Sequence, residues 1–426
     1  MLTPEENERL TRVGPGTPCG EFMRRYWQPA ALAEELPPGG PPIPIRLLGE
    51  DLVLFRDDAG RPGLIGLHCS HRGADLSYGR LENGGLRCIY HGWLYDIDGR
   101  CLEQPGEPAG STFHEKIHHR AYPCREVGGL ILTYMGPRDP PLIPAFEFLL
   151  APETHLFAMK VLFDCSYLQA YESGLDPVSA FILHRGSGGD PRHVAPAPPS
   201  IEVDEIDVGL RQFTVFRFST DKSYFKLNNF VLPGFTMVGS QSEGDGYQAN
   251  WHVPIDDTHC WEYNCRFQRS GPIEDKAERK DRSFRSMTPE YRLVRNAENR
   301  YLQDREEMKR GNFAGMGRDR PARVAWAAQS QGPTRDRTEE NLGYTDVSII
   351  AARRILLKAI QNVAEGRDPP GVVRDPQRND FSHVVLGRNE VPAGVGWREH
   401  WKNVLFPEAV AEGRRFLAQQ RVREGV

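Results

Sequence analysis

The chain has 426 residues, which is too long for a single hydrophobic core of ordinary size, so we expect two or three domains. Hydrophobic residues make up 39% and charged residues 26%, values typical of soluble globular proteins, which excludes collagen-like, coiled-coil and mostly disordered chains. A formal net charge of −5 gives no general attraction to phosphate backbones and argues against a nucleic-acid partner. No apolar run approaches the roughly 18 residues of a membrane span, and the charged start lacks the core of a signal peptide. A cytoplasmic protein with no membrane partner is expected.

The first half of the chain predicts a small antiparallel β domain. Short apolar runs between residues 40 and 135 alternate with DDAG, ENGG and DIDG, each placed where a hairpin would close. The proline-rich run at 136–145 favours an extended linker. We therefore expect an N-terminal helical segment at 1–39, the β domain at 40–140 and a second domain at 141–426.

The second half predicts helices packed with another antiparallel sheet. Helical spacing in LQAYESGLDPVSAFILHR is followed by a run without pattern at 186–200, which predicts a long loop. RQFTVFRFST, FKLNNFVLPGFTMVGS and YQANWHVPIDD have the composition of strands. Residues 346–366 keep an apolar stripe at helical spacing, which predicts a long helix. The fold class is therefore α+β.

Two short motifs carry the strongest chemical signal. Cys69-Ser70-His71 is followed, after sixteen residues, by Cys88-Ile89-Tyr90-His91. A set of two Cys and two His most often holds structural zinc, but zinc fingers usually pair Cys with Cys and His with His. One thiolate and one imidazole from each loop instead favour a [2Fe-2S] cluster with two Cys on one iron and two His on the other. Structural zinc remains the alternative.

The flanking residues resemble a known family. CSHRGADLSYGRLENGGLRCIYHGWLYDIDGRCLEQP and most of the remaining chain resemble the Rieske non-heme iron oxygenases, most closely the phthalate-dioxygenase-like branch of aromatic hydroxylases and O-demethylases. The resemblance implies a Rieske domain followed by a helix-grip domain, in which a long C-terminal helix closes an antiparallel sheet. It also implies that Cys69 and Cys88 bind one iron of the cluster, and His71 and His91 the other.

The resemblance implies a second metal site, which this chain does not retain in full. In the family two His and one carboxylate hold an Fe(II), with both His in E-x-x-x-D-P-x-H-x-x-x-x-H. Here that segment reads ESGLDPVSAFILH, so Ser179 replaces the first His and His184 keeps the second. Alignment through VAWAAQSQGP puts Val324 at the carboxylate position. We therefore expect no conventional mononuclear iron here. The alternative is a rebuilt site using Asp319, Asp190, His193 or Gln329.

Charged residues near this motif have two interpretations each. Asp176 corresponds to the family's bridge between the two metal centres, but Asp followed by Pro177 is also the sequence of a helix N-cap. Glu172 is expected to be an outer or surface group rather than a ligand. Arg185 and Arg323 are candidate binders of a substrate carboxylate, although a solvated position is expected for both.

Several residues of the second sheet are candidates for the wall of a substrate cavity. Alternate strand residues point to opposite faces, so about half of them should belong to the core instead. The candidates are Phe216, Phe218, Asn228, Asn229, Phe230 and Phe235.

Three functions fit these features. The first is a Rieske-type oxygenase component for hydroxylation or demethylation of a small aromatic substrate, with or without a carboxylate. It would take electrons from a separate NAD(P)H-dependent reductase of the flavin and iron-sulfur type, and a sister subunit in a trimer or stacked trimer would hold the oxygen-activating iron. The second is a self-sufficient oxygenase with a rebuilt iron site. The third is a structural or regulatory subunit that keeps the cluster only for folding.

Overall fold

A computed structural model describes residues 2–185, 199–217, 223–239, 246–317, 319–391 and 395–424. The patternless run expected to be a loop at 186–200 lies almost wholly outside these ranges. Among the described residues, no helix combines the length and apolar character needed to cross a membrane.

Helices occur at the N-terminus and throughout the second half. They are α1 (Pro4–Thr11), α2 (Pro18–Met23), α3 (Glu147–Leu150), α4 (Tyr167–Leu175), α5 (Pro177–Ile182), α6 (Lys276–Phe284), α7 (Arg305–Lys309), α8 (Arg320–Gln329), α9 (Val347–Ala364), α10 (Trp397–His400) and α11 (Phe406–Glu424).

Strands fall into an early group of short ones and a later group of long ones. The early strands are β1 (Trp27–Leu32), β2 (Ile43–Leu47), β3 (Glu50–Arg56), β4 (Pro62–Gly66), β5 (Arg80–Glu82), β6 (Gly85–Arg87), β7 (Leu94–Tyr95), β8 (Cys101–Glu103), β9 (Ala121–Tyr122), β10 (Cys124–Val127) and β11 (Leu130–Tyr134). The later strands are β12 (Leu156–Phe163), β13 (Ser200–Ile206), β14 (Gly209–Arg217), β15 (Ser223–Val231), β16 (Phe235–Gly239), β17 (Tyr247–Pro254), β18 (Cys260–Phe267) and β19 (Gly387–Val391).

The early strands form three small antiparallel sheets with the orders β1-β11-β10, β2-β3-β4-β9 and β5-β6-β7-β8. The three turn signals close hairpins as expected: Gly60, Gly84 and Gly99 lie between paired strands with φ of +78°, +78° and +80°. Glycine adopts this left-handed conformation without steric cost. The antiparallel β domain is therefore confirmed. Strand β1, inside 1–39, pairs with β11, and the domain bounds themselves stay a prediction.

The later strands form one antiparallel sheet with the order β12-β18-β17-β16-β15-β14-β13, and β19 also pairs with β15. Helices α4 and α9 contact one face of this sheet. On the other face, Trp397 and Trp401 pack against Phe213 and Phe225, with ring centroids 5.1 to 5.9 Å apart. The α+β class and the long helix near 346–366 are confirmed, since α9 spans most of that range.

Candidate iron-sulfur and mononuclear iron sites

Two loops with the same backbone pattern lie side by side in the β domain. In the first, the N–H of Cys69 donates to Ala74 O, and the N–H of Gly73 donates back to Cys69 O. The second loop repeats this, because Cys88 N–H donates to Trp93 O and Gly92 N–H to Cys88 O, all at 2.8 or 2.9 Å. Both glycines have positive φ, +73° and +78°, which an L residue rarely adopts. Each motif therefore has Cys at the same position, the first residue of its loop.

The four candidate ligands separate into a buried pair and an exposed pair. Cys69 and Cys88 are each only 3% exposed, and Cys88 lies close enough to help raise the pKa of the Cys69 thiol, on which burial has the largest effect. His71 and His91 are exposed, with ring centroids 4.5 Å apart. A thiol pair and an imidazole pair are the donor set of a Rieske [2Fe-2S] cluster, so these residues fit that group.

Aromatic side chains hold the loops in place. Trp93 is buried and stacks on His71 with centroids 4.6 Å apart and planes 11° apart, while Tyr90 contacts His91. The hydroxyl of Tyr95 lies 3.1 Å from Cys69 Sγ. A cysteine that binds a metal is a thiolate, so at a loaded site this hydroxyl would donate to the sulfur. Tyr95 was not singled out from the sequence, although it lies close behind the second Cys-His motif, after Gly92, Trp93 and Leu94.

A buried histidine supports the first loop and was also missed. Nε2 of His119 lies 2.7 Å from the carbonyl of Gly66, which only accepts, so Nε2 carries the proton. Nδ1 therefore accepts from the hydroxyl of Ser70, also at 2.7 Å. Burial lowers the pKa of His119 and keeps the ring neutral. Ser70 lies between the candidate ligands Cys69 and His71 in the sequence. The hydrogen bonds from Ser70 to His119 and from His119 to Gly66 therefore anchor the first loop to strand β4.

The segment that matches the mononuclear iron motif, residues 172–184, begins in helix α4 and continues in helix α5, and the two helices join at Asp176. Helix α4 ends at Leu175, and the Asp176 carboxylate caps α5 by accepting from the N–H groups of Val178 and Ser179 at 2.8 and 3.1 Å. The N-cap interpretation is therefore confirmed, whereas the bridging role stays a prediction. Burial raises the pKa of Asp176. The Ser179 hydroxyl donates to the Asp176 carbonyl at 2.9 Å, so its proton is used inside the helix turn.

The histidine that this chain keeps from the iron motif lies against an arginine. His184 is 7% exposed, and its Nδ1 lies 3.3 Å from Nη1 of Arg323 on α8. Arg323 is fully buried, and Nη2 also donates to the carbonyl of Gly317. The expectation that Arg323 is solvated is wrong, because helix α8 turns this side chain inward. Arg185 is exposed, as expected, and Val324 is partly buried against the main core.

Glu172 is the centre of a buried ion network. Its carboxylate accepts from Arg337 at 2.8 Å and from Arg353 at 2.6 Å, and Arg353 also binds Glu340. Burial alone would raise the pKa of Glu172, but the two guanidinium groups hold it below its ordinary value. Glu172 is thus a buried structural group that ties α4 to α9.

The proposed substitute ligands lie elsewhere or are already engaged. Asp319 caps α8, and the Gln329 side-chain oxygen accepts from Tyr301 at 2.7 Å. Asp190 and His193 lie outside the described residues. Within the described ranges, no group of three or more His, Cys, Asp or Glu side chains is placed to hold a single metal ion.

The candidate cavity residues divide between the two faces of the large sheet. Asn229 donates to Val385 O, and Phe235 packs on Trp251, so both belong to the core. Asn228 and Phe230 lie on the face that contacts α4 and α9. Gln212, paired with Asn228, lies on the same face and donates to Leu175 O and to Ser348 Oγ. Phe216 is partly buried, and Phe218 is not described.

The sheet face below α4 and α9 carries buried uncharged polar atoms. They have no hydrogen-bond partner among the described residues: Gln212 Oε1, Thr214 Oγ1, Asn228 Oδ1 and Thr236 Oγ1. Buried polar atoms are normally paired with protein, water or a ligand. This face is therefore a candidate wall of the substrate cavity.

Comparison with known proteins agrees with this architecture. The family described as "Rieske [2Fe-2S] domain" matches residues 26–122, and "LigXa C-terminal domain like" matches residues 133–412. The oxygenase subunit of phthalate 4,5-dioxygenase from Pseudomonas putida is 36% identical, over 94% of this chain and 95% of that protein. The oxygenase subunit of 5,5'-dehydrodivanillate O-demethylase from a Sphingobium species is 34% identical, over 99% and 97% of the two chains.

A solved structure shares the fold at lower identity. The terminal oxygenase of carbazole 1,9a-dioxygenase from Nocardioides aromaticivorans superposes with a TM-score of 0.57 at 20% identity, over 84% of this chain and 98% of that one. Sequence and fold together define the class, a Rieske-type oxidoreductase. More particularly, the chain belongs to the Rieske aromatic-ring oxygenases and is an oxygenase component. The family and fold implied by the sequence are thus confirmed.

Proposed function

We propose that this chain is the electron-transferring oxygenase component of a mixed assembly, in which a sister subunit holds the oxygen-activating iron. One observation carries the proposal: the loops around Cys69 and Cys88 each form their own hydrogen bonds, while the alignment puts Ser179 and Val324 at two ligand positions of the second metal and the buried Arg323 contacts His184. When bound at the two loops, a [2Fe-2S] cluster supplies one-electron transfer.

The residues of this chain would then perform three tasks. The thiols of Cys69 and Cys88 would hold the inner iron away from water, since both lie in the core of the β domain. His71 and His91 would hold the outer iron at the surface, where electrons enter and leave. Tyr90, 57% exposed beside His91, would give a partner protein an apolar contact next to the outer iron.

The relatives support an aromatic substrate. Phthalate and 3-chlorobenzoate, named in two of them, are carboxylated aromatics, and a third relative is named an O-demethylase. We therefore assign hydroxylation or demethylation of an aromatic, carboxylated compound to the assembly. A separate reductase supplies electrons; the oxygenase of carbazole 1,9a-dioxygenase, solved in complex with a ferredoxin, supports electron delivery by a separate protein.

Co-expression tests the proposal. The chain purified alone should carry about two irons, all in one cluster with Rieske electron paramagnetic resonance, and should not oxidise phthalate with a phthalate dioxygenase reductase. Co-expressed with a sister subunit that keeps all three iron ligands, it should give a mixed oligomer that turns over. Turnover by the chain alone with a third iron bound would refute the proposal and favour the rebuilt site.

A further inference from the structure

The region expected to hold the mononuclear iron contains a buried positive side chain. Arg323 is fully buried, and its guanidinium reaches Nδ1 of His184, the one iron-ligand position of the family's pattern that keeps its residue in this chain. We propose that the Arg323 guanidinium has replaced the ferrous ion as the cation at this position and holds His184 in a tautomer unsuited to metal binding. The inference rests on the proposed function only in treating His184 as the remnant of an iron site.

Hydrogen-bond donors and acceptors decide the tautomer. A guanidinium only donates, so Nδ1 of His184 must accept from Nη1 through its lone pair, and the ring proton sits on Nε2. An imidazole that binds a metal presents one lone pair to the ion and gives its other N–H to an acceptor. Binding through Nε2 would move the proton to Nδ1, where it would face an arginine N–H. Neither ring nitrogen is therefore ready for a metal.

The arginine is held in place by its surroundings. Nη2 donates to the carbonyl of Gly317, which also accepts from Asn312 at 2.8 Å. The N–H of Gly317 donates in turn to Glu307 at 2.9 Å. These contacts fix the turn before α8, so the guanidinium cannot move aside without breaking them.

The positive charge of Arg323, like its hydrogen bond to His184, disfavours a metal ion at this position. Arginine stays protonated in proteins, and a ferrous ion beside it would place two cations in a region of low dielectric. Ser179 and Val324 add no negative charge. Restoring ligands at these two positions therefore leaves the repulsion and the wrong tautomer in place.

Metal binding by three variants of the cluster-loaded chain tests this. Each is dialysed anaerobically against Co(II) alone, and bound cobalt is measured per chain. Ser179→His/Val324→Asp should bind cobalt weakly. Adding Arg323→Gln should raise the affinity by about 10- to 100-fold, the range by which outer-shell partners change metal affinity. Adding Arg323→Lys, which keeps the charge, should not.

Arg305→Gln in the same double variant is the matched control, because Arg305 lies on the neighbouring helix α7 with an exposed side chain. It should leave cobalt binding at the level of the double variant. Tight binding by the double variant with Arg323 intact would overturn the inference. Equal cobalt affinity in the Arg323→Gln and Arg323→Lys variants would also overturn it. So would an Arg323→Gln variant that is folded, as its cluster spectrum shows, but binds cobalt no more tightly than the double variant.

A measurement on the unmodified protein is independent of how the variants fold. Long-range 1H–15N spectra of the oxidised chain, assigned with His184→Gln, should show His184 protonated at Nε2 with Nδ1 as acceptor. Protonation at Nδ1 alone would overturn the inference. Neither test involves a sister subunit, so failure of co-expression to give turnover would refute the proposed function and leave this result standing.

Discussion

The hydroxyl of Tyr95 contacts Cys69 Sγ at 3.1 Å, and this single contact should influence the reduction potential of the [2Fe-2S] cluster. A donor to a ligand sulfur stabilises the reduced, more negative cluster, so Tyr95→Phe should lower the reduction potential. A hydrogen bond of about 1 kcal/mol corresponds to roughly 40 mV for one electron. Redox titration followed by electron paramagnetic resonance measures the shift. Tyr122→Phe, which removes a hydroxyl bonded to Glu50 instead, should leave the potential unchanged.

Glu172 should control stability through a pH-dependent charge. Its folded pKa lies below the ordinary value because of Arg337 and Arg353, so its contribution is complete above about pH 4.5 and is lost as pH falls through the folded pKa. Glu172→Gln leaves two buried guanidinium groups with less compensation and should cost about 3–5 kcal/mol near neutral pH.

Thermal unfolding from pH 7 down to pH 3 tests this expectation. The gap in free energy of unfolding between wild type and Glu172→Gln should narrow as the pH falls from about 4.5, because the carboxylate takes up a proton first in the unfolded chain and, at the lower folded pKa, in the folded protein. Glu290→Gln, at an exposed position, is the matched control and should track the wild type throughout. A gap that is constant with pH would contradict the assigned role of the charge.

At the scale of elements, the short helix α5 depends on its cap. Asp176→Ala removes the acceptor for two backbone N–H groups and should cost about 1 kcal/mol, whereas Asp176→Asn keeps a capping side chain and should cost little. Thermal unfolding measures both. If Asp176 also bridges metal centres between subunits, Asn should slow turnover of the mixed oligomer while leaving stability intact. Equal, unchanged turnover in wild type and Asn variant would assign the residue to capping alone.

Elements with a local signal were predictable, and those stabilised by distant contacts were not. The hairpins were visible because glycine at positive φ marks each turn, and α9 was visible from its apolar stripe. Strand β12 was not identified. Lys160 interrupts its apolar run and is buried there only because Glu35 pairs with it at 2.7 Å and Trp261 lies 4.2 Å from its ammonium. The polar helices α10 and α11 at the C-terminus were also not identified from the sequence. Their few apolar residues pack on the distant strands of the large sheet, and this contact is not visible in the local pattern.

At the scale of the whole molecule, the two candidate sites differ in how much the sequence could reveal. Each loop of the cluster site lies within six residues that form their own hydrogen bonds, so spacing alone indicated its ligands. The contact between His184 and Arg323 joins residues 139 positions apart, and that between Glu172 and Arg337 spans 165. That Ser179 stands where the family's motif has a histidine was readable from the sequence. The arginine that contacts His184 became visible only in the folded chain.

The assembled molecule gives the last prediction. In a mixed oligomer whose sister subunit holds the iron, His91→Ala in this chain alone should slow turnover, because the outer iron loses a ligand and electron supply to the sister subunit falls. His118→Ala, an exposed histidine outside the two motifs, is the matched control and should leave turnover intact. Turnover is measured with excess reductase, so that delivery through this chain limits the rate. A His91→Ala oligomer that turns over at the control rate would show that the sister subunit receives its electrons by another route.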